Sequence, residues 1–167
     1  MRSSTWLIAT LSAITVAVAA ACSGGGGGET ATPATSPSTG LTQRDNGEGG
    51  VTVQVTWLTA AELDTDGDLA DAAASYPIES YLLLRVTMDT HSGSLSSYDP
   101  AAGSELVAGG GPPQSAVAWL PLSDNAHHRE GLLVFQRPQG AASVELALNG
   151  LAEAPQRVFR WAPPPGG

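Results

Sequence analysis

The sequence predicts an all-β fold, built as a single antiparallel β-sandwich of about seven strands. Three observations support this prediction. Several short stretches alternate apolar and polar residues, as strands buried on one face do. Turn residues separate these stretches, and no long amphipathic helix pattern interrupts them. Residues 51–161 number about 110, which is a normal size for one compact domain.

The predicted strands follow one another along this segment. Apolar side chains occupy every second position from Val51 to Trp57, with threonine and glutamine between them. The second strand, residues 78–89, directs Leu82 and Leu84 to one face and Arg85 to the other. A short strand is predicted at residues 105–108. Four further strands are predicted at residues 116–120, 131–136, 143–148 and 156–161.

Two other features complete the predicted domain. Residues 59–75 are rich in alanine but interrupted by Asp66-Gly67, so we expect one or two helical turns at most. A single cysteine excludes an internal disulfide, and the core must form by packing alone. Its large members are expected to be Trp57, Trp119, Phe135, Phe159 and Trp161. The proline-rich tail, residues 162–167, is expected to be disordered.

The N-terminal residues predict export from the cytoplasm. Arg2 precedes an uncharged apolar stretch, residues 6–18, and three alanines at 19–21 lead to Cys22. Residues 1–21 therefore have the features of a signal-peptide helix. A plain secreted protein and a retained membrane span are the alternatives, but the apolar run is short for a span.

This arrangement resembles the signal peptide and lipobox of bacterial lipoproteins, with Ala19 where leucine is usual. The resemblance implies that Cys22 carries a diacylglyceryl group and acyl chains such as palmitate, which together give stable anchoring. It also implies a place in the cell envelope, on the extracytoplasmic face of a bacterial membrane. Residues 22–50 are predicted to form a flexible Gly/Ser/Thr/Pro linker. The domain beyond resembles immunoglobulin-like lipoprotein domains in architecture only.

Composition excludes several functions. Six arginines and all sixteen acidic residues follow the signal peptide, which gives a formal net charge of −10. Such a surface argues against nucleic acid as a partner. The chain has no lysine, and its one cysteine is expected to be lipidated, so Schiff-base and thiol chemistry are excluded. No motif of a hydrolase or phosphate-binding loop is present. Short loops would also leave little room for a deep pocket, so no catalysis is expected.

The first candidate site is a set of three histidines with one carboxylate. Asp89 and His91 share a strand face, and His127 and His128 precede another strand. If these segments meet, they could bind copper or zinc, since two or three histidines with a carboxylate is a common ligand set. The alternatives are a hydrogen-bonded brace between loops and a pH sensor.

The second candidate site is an acidic segment. Glu62, Asp64, Asp66 and Asp68 precede or flank Gly67 and resemble the start of an EF-hand calcium loop. The bidentate glutamate that closes such a loop is replaced by Ala73, so only weak calcium binding is expected. A solvated acidic loop is the alternative.

A third candidate lies in the last strand, where alternation places Arg157 on the same side as Phe159 and Trp161. Arg157 could cap an aromatic ring there as a cation–π contact. The alternatives are a structural closing strand and a platform for ligand stacking.

Together these patterns predict a lipid-anchored, non-catalytic binding or interaction module outside the cytoplasm. Its partner is expected to be a protein or a small ligand. The alternative function is copper or zinc binding through Asp89, His91 and one of His127 and His128.

Overall fold

The computed structural model describes residues 41–162, which form two antiparallel β-sheets and two short helices. All of these residues belong to one compact unit of the chain. The predicted signal peptide, Cys22, the linker up to residue 40 and residues 163–167 lie outside the described residues.

Nine strands are described, two more than the sequence predicts. They are β1 Thr42–Arg44, β2 Val51–Trp57, β3 Tyr81–Thr90, β4 Ser104–Ala108, β5 Gln114–Ser115, β6 Ala118–Asp124, β7 His128–Gln136, β8 Val144–Asn149 and β9 Gln156–Trp161. The larger sheet has the order β1-β2-β3-β7-β6 and the smaller sheet the order β5-β4-β8-β9. Two helices, α1 Ala60–Thr65 and α2 Gly67–Ala73, connect β2 to β3.

Each of the seven predicted strands overlaps a described one, and β2 and β9 have the predicted bounds. The largest difference is at β6, which ends at Asp124 rather than at residue 120. β7 begins at His128 rather than at residue 131. Its first three residues are polar, so they carry no alternation signal. They are nevertheless in register with Thr87–Asp89 of β3.

The main core lies between the two sheets. Trp57 and Leu84 from the larger sheet pack in one cluster with Leu146, Phe159 and Trp161 from the smaller sheet. The predicted aromatic core is confirmed for four of its members, which are at most 3% exposed, whereas Trp119 packs against the cluster while only partly buried. The rings of Trp57 and Trp161 meet edge to face at 5.6 Å, a favourable geometry for aromatic pairs.

A second apolar cluster covers part of the outer face of the larger sheet. Leu83 of β3 and Leu132 of β7 point outward and pack with Leu69 and Ala73 of α2. We expected at most two helical turns in residues 59–75, but this segment contains two helices of six and seven residues. Burial of the α2 side chains on the sheet provides the stability that the alanine-rich sequence lacks alone.

The predicted linker was wrong for residues 41–50, because β1 lies within it and pairs with β2. Gln43 is buried, and its side-chain amide donates to the Arg160 carbonyl (2.6 Å) and accepts from the Arg160 amide (3.2 Å). Gln43 therefore ties β1 of the larger sheet to β9 of the smaller sheet. The other unexpected strand, β5, has only two residues.

A buried ion pair fixes the segment between β1 and β2. The side chain of Arg157 on β9 is 1% exposed and pairs with Asp45. Its guanidinium also donates to the carbonyls of Val51 (3.0 Å) and Glu48. The alternation along β9 correctly predicted that Arg157 is buried together with Phe159 and Trp161. The groups that bind its charge are a carboxylate and two carbonyls rather than an aromatic ring.

Strand directions define two ends of the domain. At the end that we call the loop end, β2 and β9 begin and β3 and β8 end. Thr42 of β1 lies opposite Thr56, near the other end of β2. The chain therefore enters the described domain at the end away from the loop end.

We expect Arg157→Met to lower the free energy of unfolding by about 3 kcal/mol, because it leaves the mostly buried Asp45 without its cation. The matched control is Arg160→Met on the same strand, where the side chain is 34% exposed and pairs with Glu145. An exposed pair of this kind contributes less than about 1 kcal/mol. Urea unfolding of the two variants measures the difference, and equal losses would contradict the assigned role of Arg157.

Candidate functional site

A cleft of about 670 Å³ opens at the loop end of the domain. Three segments form it: residues 49–51 before and at the start of β2, residues 90–103 between β3 and β4, and residues 149–153 after β8. Its volume lies in the usual range of small-ligand sites. The prediction of short loops with little room for a pocket was wrong, because the β3–β4 connection alone has thirteen residues.

The cleft has a polar lining. Serine hydroxyls come from Ser92, Ser94 and Ser97, and two carboxylates come from Asp99 and Glu153. All five of these residues are exposed. Several glycines lie between them, so backbone amides and carbonyls also reach the surface of the cleft. Such a lining offers many hydrogen-bonding groups beside a comparable amount of apolar surface.

A buried arginine holds the long β3–β4 loop in place. Arg129 of β7 is 7% exposed, and its Nη1 donates to the carbonyls of Leu95 (3.0 Å) and Tyr98 (2.5 Å). Its Nε lies 2.6 Å from the carboxylate of Asp124. The buried Leu95 side chain joins the main core, and the Leu95 amide donates to Ala126 (2.8 Å). The loop is thus fixed on its inner side while its serines face the cleft.

Tyr98 lies at the base of the cleft beside Gly103. A Cβ atom at residue 103 would stand 2.5 Å from the Tyr98 hydroxyl, so only glycine leaves room for the ring. The hydroxyl is buried and has no hydrogen-bond partner among residues 41–162. Burial raises the pKa of Tyr98 to about 12, against the opposing effect of Arg157. Tyr98 is therefore neutral at physiological pH.

The β8–β9 loop forms the opposite wall. The Asn149 amide donates to the Gly103 carbonyl (2.7 Å), which links this loop to the β3–β4 loop. Gly150 and Ala152 both have left-handed backbone conformations, with φ of 68° and 56°. For a residue other than glycine this conformation costs roughly 1–2 kcal/mol. The wall therefore includes a strained turn at Ala152, whose side chain is exposed.

The predicted histidine set is only partly assembled. Asp89 and His128 are paired across β3 and β7, and a carboxylate oxygen of Asp89 lies 2.7 Å from His128 Nδ1. The bond joins two strands rather than two loops, and His91 takes no part in it. His91 and His127 are exposed. Within the described part of the chain, no group of three or more His, Cys, Asp or Glu side chains is placed to hold a metal ion. Copper or zinc binding stays a prediction.

Two carboxylates surround His128. The hydrogen bond with Asp89 raises its pKa above the ordinary value of 6.5, burial opposes this rise, and the charges of Asp89 and Glu130 add to it. Glu130 itself pairs with Arg85 on the neighbouring strand.

The predicted calcium segment is helical rather than an acidic loop. Glu62 closes a capping box with Thr59, whose amide donates to Glu62 (2.9 Å). Asp66 caps α2 by accepting from the Leu69 amide (3.2 Å). Asp64 and Asp68 are exposed on the two helices. Two of the four predicted carboxylates thus satisfy helix N-termini, and calcium binding stays a prediction.

The sequence pattern did not predict the cleft. Its loops have no periodicity, so they appeared only as gaps between predicted strands. One usable signal was present: residues 92–99 consist almost entirely of Ser, Gly, Asp and Tyr, and Asn149-Gly150 begins the other connection. Antiparallel topology brings both connections to the same end of the domain.

Comparisons of this chain with family models, with curated proteins and with solved structures found no match. No helix within residues 41–162 has the length and apolar character needed to span a membrane.

We expect the Asp89–His128 bond to make stability depend on pH. Because the pKa of His128 is raised in the folded state, its contribution is fully present below pH 6.5 and is lost as the pH rises through the folded-state value. Solvent screening limits the contribution to less than about 1 kcal/mol. Asp89→Asn should therefore destabilise the protein more at pH 5.5 than at pH 8.5. An NMR titration of His128 should also show a lower pKa in this variant; an unchanged pKa would contradict the assignment.

Proposed function

We propose that this protein is a lipid-anchored, extracytoplasmic binding module of the immunoglobulin-like type and that the cleft at the loop end is its binding surface. The single observation that carries the proposal is the position of the cleft. It lies where the thirteen-residue β3–β4 connection meets the β8–β9 connection at one end of the two-sheet domain. Binding sites are commonly built on loops that a rigid scaffold positions.

The strand order supports an immunoglobulin-like assignment. One sheet contains β2-β3-β7-β6, which corresponds to strands A, B, E and D of that fold. The other contains β4-β8-β9, which corresponds to strands C, F and G. β5 is then an additional edge strand beside C, and β1 is an addition before A.

Under this correspondence, the cleft loops are the B–C and F–G loops. In antibody variable domains these two loops contribute antigen-contacting segments. Antigen-contacting loops are enriched in Tyr, Ser, Gly and Asn, which supply adaptable hydrogen bonds and rigid contact area. The cleft has the same composition, including Ser92, Ser94, Ser97, Tyr98 and Asn149. The parallel concerns architecture and composition, and it supports binding without naming a partner.

The lining favours binding over catalysis. A serine nucleophile needs an adjacent base, which is usually a histidine. No histidine lies among the residues that line the cleft. The hydroxyls of Ser92, Ser94 and Ser97 are therefore assigned to hydrogen bonding with a ligand.

The end at which the chain enters the described domain also supports the proposal. Because β1 runs back along β2, residue 41 lies at the end of the domain away from the cleft. If β2 had been the first strand, the chain would have entered at the loop end, next to the cleft. A linkage to the membrane through Cys22 would thus be attached to the domain at the end opposite the cleft.

Two labelling variants test this arrangement. The chain has one cysteine, so lipidation of Cys22 leaves an introduced cysteine as the sole reactive thiol. Ser94→Cys places a fluorophore in the cleft, and Gln139→Cys places one in the β7–β8 loop at the other end. In vesicles with a headgroup-linked acceptor, we expect the Ser94 probe to lie about 20 Å farther from the membrane, because β3 alone spans roughly 30 Å.

Equal distances for the two probes would contradict the outward-facing cleft. Cys22→Ser is the control for anchoring, and this variant should move from the membrane fraction to the soluble fraction. Mass spectrometry of the mature protein checks the lipid directly. An unmodified Cys22 would remove the membrane anchor from the proposed function.

A further inference from the structure

We infer that the cleft binds a cationic ligand, one that presents guanidinium or ammonium groups. This inference rests on the proposed function and adds the chemical class of the ligand. It follows from the charges that line the cleft, from the pairing of the nearby arginines, and from the hydrogen bonds of the two cleft carboxylates.

The lining of the cleft carries negative charge only. Asp99 and Glu153 are its two carboxylic acids, and the phenol of Tyr98 is uncharged at neutral pH, as an ordinary tyrosine is. No arginine or histidine lies among the lining residues, and the chain contains no lysine. The cleft thus has a formal charge of −2 at neutral pH.

The arginines nearest the cleft do not line it. Arg129 lies under the β3–β4 loop, and Arg157 lies behind the segment before β2. Each is buried and paired with an acid of its own, Asp124 and Asp45 respectively. The charge of Arg157 acts on the buried tyrosine hydroxyl at the base of the cleft, but the two cleft carboxylates are the charged groups that a ligand would contact.

Both cleft carboxylates retain oxygen atoms for a ligand. Asp99 accepts from the amides of Ala101 (3.0 Å) and Ala102 (3.1 Å) through Oδ1, and Oδ2 accepts no hydrogen bond from another residue within 41–162. No hydrogen bond or ion pair joins the Glu153 side chain to another residue within 41–162. Guanidinium and ammonium groups form charge-assisted hydrogen bonds to such oxygens.

The wider charge of the chain favours the same ligand class. A formal charge of −10 after the signal peptide attracts cations toward the domain and repels anions. The hydroxyls of Ser92, Ser94 and Ser97 can accept further hydrogen bonds from the same groups. A ligand of this chemistry could be an arginine-containing peptide segment or a polyamine, and both fit a cleft of about 670 Å³.

The test uses the full lipidated chain in nanodiscs of neutral phospholipid. Four probes are added separately: an acetylated tetra-arginine amide, spermine, a tetra-glutamate peptide and a tetra-serine peptide. Backbone amide shifts of Ser92, Ser94 and Gly150 report on binding in the cleft. We expect both cationic probes, or one of them, to shift these amides, with an affinity that falls as salt is raised. Which cation binds more tightly separates a peptide from a polyamine.

A charge-matched pair of double variants locates the interaction. Asp99→Asn with Glu153→Gln removes both cleft charges with little change in shape, and the side-chain carbonyl that Asp99→Asn retains can still accept the turn amides. Asp64→Asn with Asp68→Asn removes two exposed charges from α1 and α2 instead. We expect the cleft variant to weaken binding of the cationic probe at least tenfold and the helix variant to weaken it less than twofold.

Three results would overturn the inference: equal weakening in both double variants, tetra-glutamate binding as tightly as tetra-arginine, or no shift of the cleft amides with either cation. Cleft shifts with tetra-serine or tetra-glutamate alone would overturn the ligand class but leave the proposed binding surface intact. Failure of the membrane anchor is detected separately, from the mass of the mature N-terminal residue.

Discussion

The rest of the domain depends on the ion pair and hydrogen bonds that the buried guanidinium of Arg157 forms. It binds the Asp45 carboxylate and the carbonyls of Glu48 and Val51, so one side chain on β9 fixes three points of the preceding segment. Asp45 in turn accepts from the amides of Gly47 and Val53. A buried charge without its partners is costly, so the segment has one stable position. That position places β1 beside β2 and Gly49 at the edge of the cleft.

Arg129 has the same role on the other side of the cleft. A thirteen-residue loop rich in serine and glycine buries little apolar surface and would remain mobile by composition alone. Two carbonyls of the loop accept from Arg129, and Leu95 inserts into the main core. Because the chain has only one cysteine, it cannot form an internal disulfide. Buried arginines bound to carbonyls therefore supply the order that a polar binding surface requires.

Alternation of apolar and polar residues was sufficient to predict β2, β9 and the outward face of Asp89, because each depends on burial of one strand face. It could not predict β1, whose three residues contain no apolar side chain. β1 is held by contacts of Gln43 with Arg160, 117 positions away, and its neighbour Asp45 contacts Arg157, 112 positions away. Such contacts have no local pattern. The cleft was missed for a related reason, since three separate segments form it and only the topology brings them together.

The use of arginine links the stability of the domain to the charge of its surface. Five of the six arginines in residues 41–162 bind a carboxylate or carbonyl of another element. They act as ties between strands and loops, whereas most of the fifteen acidic residues within 41–162 pair with no arginine. The arginines are thus occupied by contacts within the fold, whereas many carboxylates remain exposed at the surface. The same use of arginine holds the polar loops without a disulfide and leaves the carboxylates of Asp99 and Glu153 exposed in the cleft, where we propose that they select a cationic ligand.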